Sequence, residues 1–240
     1  MPSSKPFTVI ACDQRSPEWM AARLGRLTGS KAADAFSTTK AGAFTAERKN
    51  LRTQLVLERL TGKSAERPVS GYQVRDGIAR EPHARFHYEC VTGQVVREVG
   101  FCADNEIPVG CSPDGVIGDF DGLVSLKSPL AATHLNSLQA LRAYREGLND
   151  LNVELAMLVH KSHTAIVPSD YLMQIRHELY VTGASWCDYV SYDGSFPVGL
   201  QSVTVRVSRA DMDLAAYERD VQTFLAEVDA EYVKVKGWAA

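Results

Sequence analysis

The sequence predicts an α/β (α+β) fold in a single domain over residues 1–240, and three observations carry that expectation. Apolar residues recur at helical spacing from about Ser16 to about Tyr88. The period then shortens to two between about Gln94 and Ser128, with Asp/Gly-rich turns separating the runs. From there to the end, helical and strand patterns alternate.

The elements follow in order. "RSPEWMAARLG" places Ser16 at an N-cap, Pro17 at the first helical position and Gly25 at the stop. "TGSKAADAF" restarts a short helix with hydroxyl residues at its head. Thr45 to Leu60 is helical, with Leu51, Leu55 and Leu60 roughly on one face and Gly62 closing it. A helix from about Gln73 to Tyr88 contains Pro82, which should end its first part or kink it. "QVVREVGF", "PVGCSPDGVI" and "GLVSLKS" predict three strands. A mostly helical segment spans Ala131 to about His160. Next comes the helix of "VPSDYLMQIRHELYVTG", with Ser169 as N-cap and Gly183 as stop. "SWCDYVSYD" and "QSVTVRVS" predict strands, and Ala210 to Val235 a closing amphipathic helix.

Composition narrows the function classes. The chain is 45% hydrophobic and 23% charged, ordinary for a globular protein. No apolar run approaches the roughly 18 residues that span a membrane. "MPSSKPFTVIACDQ" has no basic region ahead of a long apolar core, so no signal peptide is expected. The five cysteines are scattered, without a C-x-x-C pair, which fits reduced thiols in a cytoplasmic protein and argues against zinc or iron–sulfur ligation. A net charge of −3 means that any nucleic-acid binding must come from a local basic groove.

The stretch "CSPDGVIGDFDGLVSLKSP" carries the chemistry. Asp114 follows a proline on one strand, and thirteen residues later Lys127 lies inside an apolar strand. Phosphodiester hydrolysis needs a metal that polarises the phosphate and activates water. Mg²⁺ takes oxygen ligands, commonly one or two carboxylates plus waters. Two adjacent strands can supply them: an acid ending one, and an acid and a lysine two apart on the next, on one face by the period-two alternation. Asp114, Ser125 and Lys127 match that geometry, with a neutral hydroxyl where the second acid belongs. Pro-Asp-Gly is also a common turn, and a strand lysine is commonly a solvated edge charge.

Other stretches point the same way. "WMAARLGRLTGSKAADAF", "GIAREPHARFHYECVTG", "GCSPDGVI", "GLVSLKSP" and "YLMQIRHELYVTG" resemble, in the same order, the bacteriophage lambda exonuclease and YqaJ-type viral recombinase family, over roughly residues 15 to 200. The resemblance implies a PD-(D/E)xK, restriction-endonuclease-like core with a central mixed sheet flanked by helices. It implies Mg²⁺-dependent 5′→3′ digestion of double-stranded DNA ends (with Mn²⁺ as a substitute), a ring-shaped homotrimer, and partnership with a single-strand annealing protein in phage recombination. It also assigns residues: Asp114 as metal ligand, the backbone carbonyl of Leu126 as another, Lys127 as catalytic lysine, Glu81 as the helix acid and Gln174 as a glutamine reaching the site. The 5′-phosphate pocket would map to Arg23, Thr28, Ser30 and Ser112. An arginine fork with hydroxyls at a helix start is chemically apt for a phosphate, although Thr28 and Ser30 could equally be N-caps and Arg23 a surface helix charge.

Ser125 departs from the family, which has glutamate there. The sequence leaves three readings. The chain is a disabled nuclease, naturally or by engineering, that still binds DNA; or a carboxylate has migrated; or Asp114, Glu81 and the Leu126 carbonyl suffice for one weaker metal. For migration Glu178 is the candidate, because it lies four residues after Gln174 on the same helical face. Asp119 and Asp121 are nearer in sequence but belong to the turn. A structure-selective endonuclease of the same fold, a catalytically dead end-binding clamp and a plain interaction domain are the competing functions.

Overall fold

The computed structural model describes residues 7–66, 72–149 and 166–239. In chain order the elements are β1 (Phe7–Ile10), α1 (Pro17–Arg23), β2 (Leu27–Thr28), a 3-10 turn (Gly29–Lys31), α2 (Ala32–Ala35), α3 (Ala46–Thr61) and α4 (Tyr72–Thr92). Strands β3 (Phe101–Asp104), β4 (Val109–Cys111), β5 (Gly115–Ile117) and β6 (Gly122–Lys127) follow. The chain continues with α5 (Ala131–Asn149), α6 (Ser169–Thr182), β7 (Trp186–Tyr192), β8 (Ser202–Ser208) and α7 (Leu214–Lys236).

The caps form as expected for local reasons. Ser16 Oγ accepts the Trp19 amide with Pro17 in the first turn. Thr45 caps α3, and Gly62 ends it with φ 64°. Gly183, with φ 72°, ends α6. The N-cap of α6 is Pro168 rather than Ser169, whose hydroxyl turns to Asp170. The closing helix begins at Leu214, where Asp213 accepts the Ala216 amide, and residues 209–211 form a separate 3-10 turn. Helix α4 runs unbroken through Pro82. The stretch from residue 150 to His160, expected to extend α5, lies outside the described residues.

Four differences concern the strands. The mixed sheet is split into two four-stranded mixed sheets, ordered β1-β3-β4-β2 and β5-β6-β7-β8. "PVGCSPDGVI" is two strands, because Ser112-Pro113-Asp114 carries the chain from the first sheet to the second; Pro113 has no N–H to give a ladder. "QVVREVGF" contributes only the bridge between Arg97 and Val116 until Phe101 begins β3. The chain passes so close to β1 at Gly100 that a Cβ there would lie 2.3 Å from the Ile10 carbonyl oxygen. Strands β1 and β2 were not anticipated. Each is short and held by a distant partner, β1 by β3 and β2 by β4 in parallel.

One core joins the two sheets. Leu27, Val109 and Cys111 of the first sheet and Leu123, Tyr189 and Val205 of the second are buried together with Ile175 and Leu179 of α6 and Val221 and Phe224 of α7. A smaller cluster on the other face of β6 packs Val124 and Leu126 against Ala84 and Tyr88 of α4. The period-two alternation of β6 therefore sends Leu123, Ser125 and Lys127 to the α6 side. Buried His177 pins α6 to β4: its Nε2–H donates to the Gly110 carbonyl (3.1 Å) while Nδ1 accepts the Tyr217 hydroxyl (2.8 Å). Among the described residues no helix is long and apolar enough to cross a membrane.

Candidate active site

Asp114 stands at the step between the sheets, just ahead of β5. Its Oδ2 accepts the Leu126 amide at 2.8 Å and the Lys127 ammonium at 3.2 Å. Strand β5 stops pairing at Gly115 opposite Val124, so the Leu126 amide would otherwise lack a partner on that edge. A strand residue projects its N–H and C=O to the same edge, so the Leu126 carbonyl also leaves toward Asp114. Lys127 is mostly buried, and its ammonium lies 5.5 Å from the centre of the Tyr171 ring. Burial acts against its charge, but Asp114 and Glu178 outweigh that and raise its pKa.

Helix α6 faces this pair. Tyr171, Gln174 and Glu178 recur at helical spacing, and Gln174 donates its amide to Glu178 Oε1 at 2.8 Å. Glu178 is only 1% exposed, and its Oε2 has no hydrogen-bond partner. Burial first and the Asp114 charge second push its carboxyl up to about 8, against the pull of Lys127 and Gln174. Gly29, heading the 3-10 turn, makes the approach of α6 possible. A Cβ there would lie 3.4 Å from Cγ of both Gln174 and Glu178. Ser125 is fully buried on the Lys127 side of β6, and its Oγ also lacks a partner.

Two buried oxygens without partners, beside a carboxylate and a lysine, require explanation, since buried polar groups are normally satisfied. Among the described residues no three His, Cys, Asp or Glu side chains converge as a metal-binding group. Mg²⁺, however, is commonly held by one or two carboxylates with waters and carbonyl oxygens. Asp114, Glu178 and the Leu126 carbonyl are the oxygens here that could supply such a donor set.

Glu81 projects from α4. Its carboxylate is paired with Arg15 (3.1 Å) and Arg85 (3.4 Å). It shares with Asp114 the wall of an open groove of about 840 Å³, which Arg97 and Gln14 also line. Gln14 ties the groove's floor together by donating to the Val99 and Pro113 carbonyls at 3.2 and 3.1 Å. Arg15 adopts φ 73°, rare for a residue with a side chain.

A second cluster gathers the remaining expected residues. Arg23 stacks on Trp19 at 4.0 Å from the ring centre, and Trp19 Nε1–H donates to Ser112 Oγ at 2.7 Å. An Arg23 Nη lies 3.5 Å from both Thr28 Oγ1 and Ser30 Oγ. All four residues are thereby linked, with Trp19 between Arg23 and Ser112. Sequence reasoning missed Trp19, Lys31 and Glu66 in this cluster, and Arg15 and Gln14 in the groove. Two of the unassigned residues had a visible signal: Trp19 in its spacing from Arg23 on α1, and Tyr171, which borders Lys127, in its spacing from Gln174 and Glu178.

Known proteins supply the remaining findings. The family model described as a YqaJ-like viral recombinase domain matches residues 18–185. The crystal structure of an alkaline exonuclease (LHK-Exo) from Laribacter hongkongensis is similar at 33% sequence identity and a TM-score of 0.73, covering 93% of this chain and 98% of that one. LHK-Exo in complex with dAMP matches with the same values. A phage-related exonuclease from Haemophilus somnus 129PT shares the fold at 13% identity and a TM-score of 0.59, over 90% of this chain and 96% of that one. No curated protein sequence matches.

Proposed function

The chain belongs to the YqaJ-like viral recombinase family, and from that premise we propose that it is a Mg²⁺-dependent exonuclease of phage-type recombination. It digests double-stranded DNA 5′→3′ and leaves 3′ single-stranded ends for an annealing protein. The proposal includes a single nuclease domain, a homotrimer and a place in the cytoplasm of a bacterial host. The observation that carries it is the meeting of the Asp114–Lys127 pair with the buried, half-satisfied carboxylate of Glu178.

Of the three readings of Ser125, migration of the acid is the one this meeting supports. Asp114, Glu178 and the Leu126 carbonyl would hold Mg²⁺, with Mn²⁺ as a substitute. Held by these groups, the ion would supply polarisation of the phosphate and a lowered pKa for the attacking water. The protein's own groups do the rest. Asp114 keeps Lys127 protonated, so its ammonium can stabilise charge developing on a phosphate oxygen. Gln174 fixes the orientation of the Glu178 carboxylate. Glu81 holds Arg15 and Arg85 along the groove, where they can meet the DNA backbone. Arg23, Thr28, Ser30 and Ser112 receive the 5′-phosphate.

A linear duplex incubated with Mg²⁺ tests the proposal. Mononucleotides released from 5′ ends, with 3′ strands left intact, support it. Tight duplex binding with no cleavage in Mg²⁺ or Mn²⁺ would instead identify a dead end-binding clamp.

A further inference from the structure

The proposed phosphate pocket already holds an anion of the protein's own. Glu66, in the segment after α3, places Oε1 3.5 Å from the Arg23 Nη and 3.9 Å from Lys31 Nζ. We infer that Glu66 is an internal occupant of this pocket: its carboxylate competes with the terminal phosphate of a DNA end for Arg23 and Lys31, and so limits the preference for 5′-phosphorylated ends. This rests on the proposed 5′-phosphate reading of the pocket and adds Lys31 to it.

Four features support competition over a fixed structural pair. The distances are long. A committed charge-assisted hydrogen bond closes to about 2.7–2.9 Å, whereas one Arg23 nitrogen stands 3.5 Å from Thr28 Oγ1, Ser30 Oγ and Glu66 Oε1 alike. The donor lies within a cradle wider than any one partner fills. Second, the two sides differ in freedom. The Arg23 side chain is 12% exposed and stacked on Trp19, while that of Glu66 is 25% exposed. Glu66 can swing away and Arg23 cannot follow.

Third, Glu66 is the only carboxylate within ion-pair distance of both Arg23 and Lys31 among the described residues, Glu58 acting on Arg23 from farther away. A phosphate with up to two negative charges would offer those two cations more than a single carboxylate does. Thr28 and Ser30 each carry a hydroxyl proton in addition to the lone pair facing Arg23, so both can donate to phosphate oxygens. Fourth, the backbone delivers Glu66 to this position. Ala65 N–H donates to Glu58 Oε1 and Glu66 N–H to Ser64 Oγ, both at 3.2 Å, while Glu58 Oε2 accepts the Gly25 amide beside Arg23.

The test uses the full chain with 5′-phosphoryl and 5′-hydroxyl duplexes in Mg²⁺, and inorganic phosphate as competitor. In Glu66→Gln, phosphate should inhibit at about fivefold lower concentration, the size of one partly exposed ion pair. The ratio of kcat/KM for the two ends should rise by a similar factor. Thermal stabilisation of the metal-free protein by inorganic phosphate should likewise be greater in Glu66→Gln, a readout independent of cleavage. If Glu66 merely propped Arg23 in place, the end preference and the phosphate sensitivity would both fall, and that result overturns the inference, as does no change in either. Arg23→Ala separates the two levels. Should it retain the wild-type preference for 5′-phosphate and the wild-type phosphate sensitivity, the phosphate-pocket reading itself fails, whatever Glu66 does.

Discussion

Replacing Glu178 with Gln should reveal its role in two independent measurements. The carboxyl ionises near its ordinary 4.5 in the unfolded chain and at about 8 when folded. Between those values the folded protein holds a proton that the unfolded chain has released, so stability falls as pH rises through the window. Buried His177 works in the opposite sense. Burial lowers its pKa to about 4 from an ordinary 6.5, so it adds stability as pH rises, an effect complete by pH 6.5. From pH 6.5 to about 8.5 Glu178 therefore acts without that opposition, and at about 1.4 kcal/mol per tenfold change it should remove on the order of 2 kcal/mol. Urea unfolding in excess chelator would measure this. The wild-type protein should lose about that much more than Glu178→Gln over the same interval. With Mg²⁺, the amide should lower cleavage of a linear duplex by at least about 100-fold, because a charged ligand is gone. Binding of Mg²⁺ to the wild type below pH 8 should also release a proton. A variant with the wild-type pH slope and wild-type cleavage would refute the migrated carboxylate.

Asp114→Asn and Lys127→Ala should each abolish cleavage while circular dichroism shows a retained fold. Asp114→Asn should cost about 1–3 kcal/mol in denaturant unfolding, because it leaves a mostly buried ammonium with a weaker acceptor. Ser125→Glu should not improve the wild-type enzyme, but it should recover part of the cleavage lost in Glu178→Gln; no recovery in the double variant would argue that the two positions do not serve one metal. Arg23→Ala should reduce the kcat/KM advantage of 5′-phosphorylated ends by about tenfold or more, in line with about 1.5–3 kcal/mol for a charge-assisted hydrogen bond. Equal rates on both ends in the wild type would contradict the pocket.

What was legible in the sequence was local. Ser16, Thr45, Gly62 and Gly183 mark helix ends through their own backbone and side-chain chemistry, and the structure has them where the pattern puts them. What was not legible depends on pairing at long range. Strand β1 is four residues that mean nothing without β3, and β2 is two residues recruited by β4. The split of "PVGCSPDGVI" follows the same rule. Its apolar residues suit a strand throughout, and only the second sheet decides that Ser112-Pro113-Asp114 must leave the first. Lys31 and Glu66 joined the Arg23 cluster by tertiary contact, with no spacing to announce them, whereas Trp19 lies four residues before Arg23 on α1 and could have been found by helical spacing.

Ser125 shows how the two kinds of information combine. Strand alternation alone placed position 125 on the Lys127 face, and helix spacing alone placed Glu178 beside Gln174. Neither could say whether strand and helix face each other. The fold answers through small residues and a buried clamp. Gly29 lets α6 come close enough that even a methyl group would touch Gln174 and Glu178, and His177 pins the same turn of α6 to the Gly110 carbonyl on β4. With the helix held there, the Glu178 carboxylate lies within electrostatic reach of Asp114 and Lys127, and on the proposed metal site it would take the place that a glutamate at 125 would fill from β6. Two negative side chains in one buried slot, already beside Asp114, would repel each other, whereas one from either element suffices. On the proposed metal site, a neutral residue at position 125 would therefore be the counterpart of an acid at position 178.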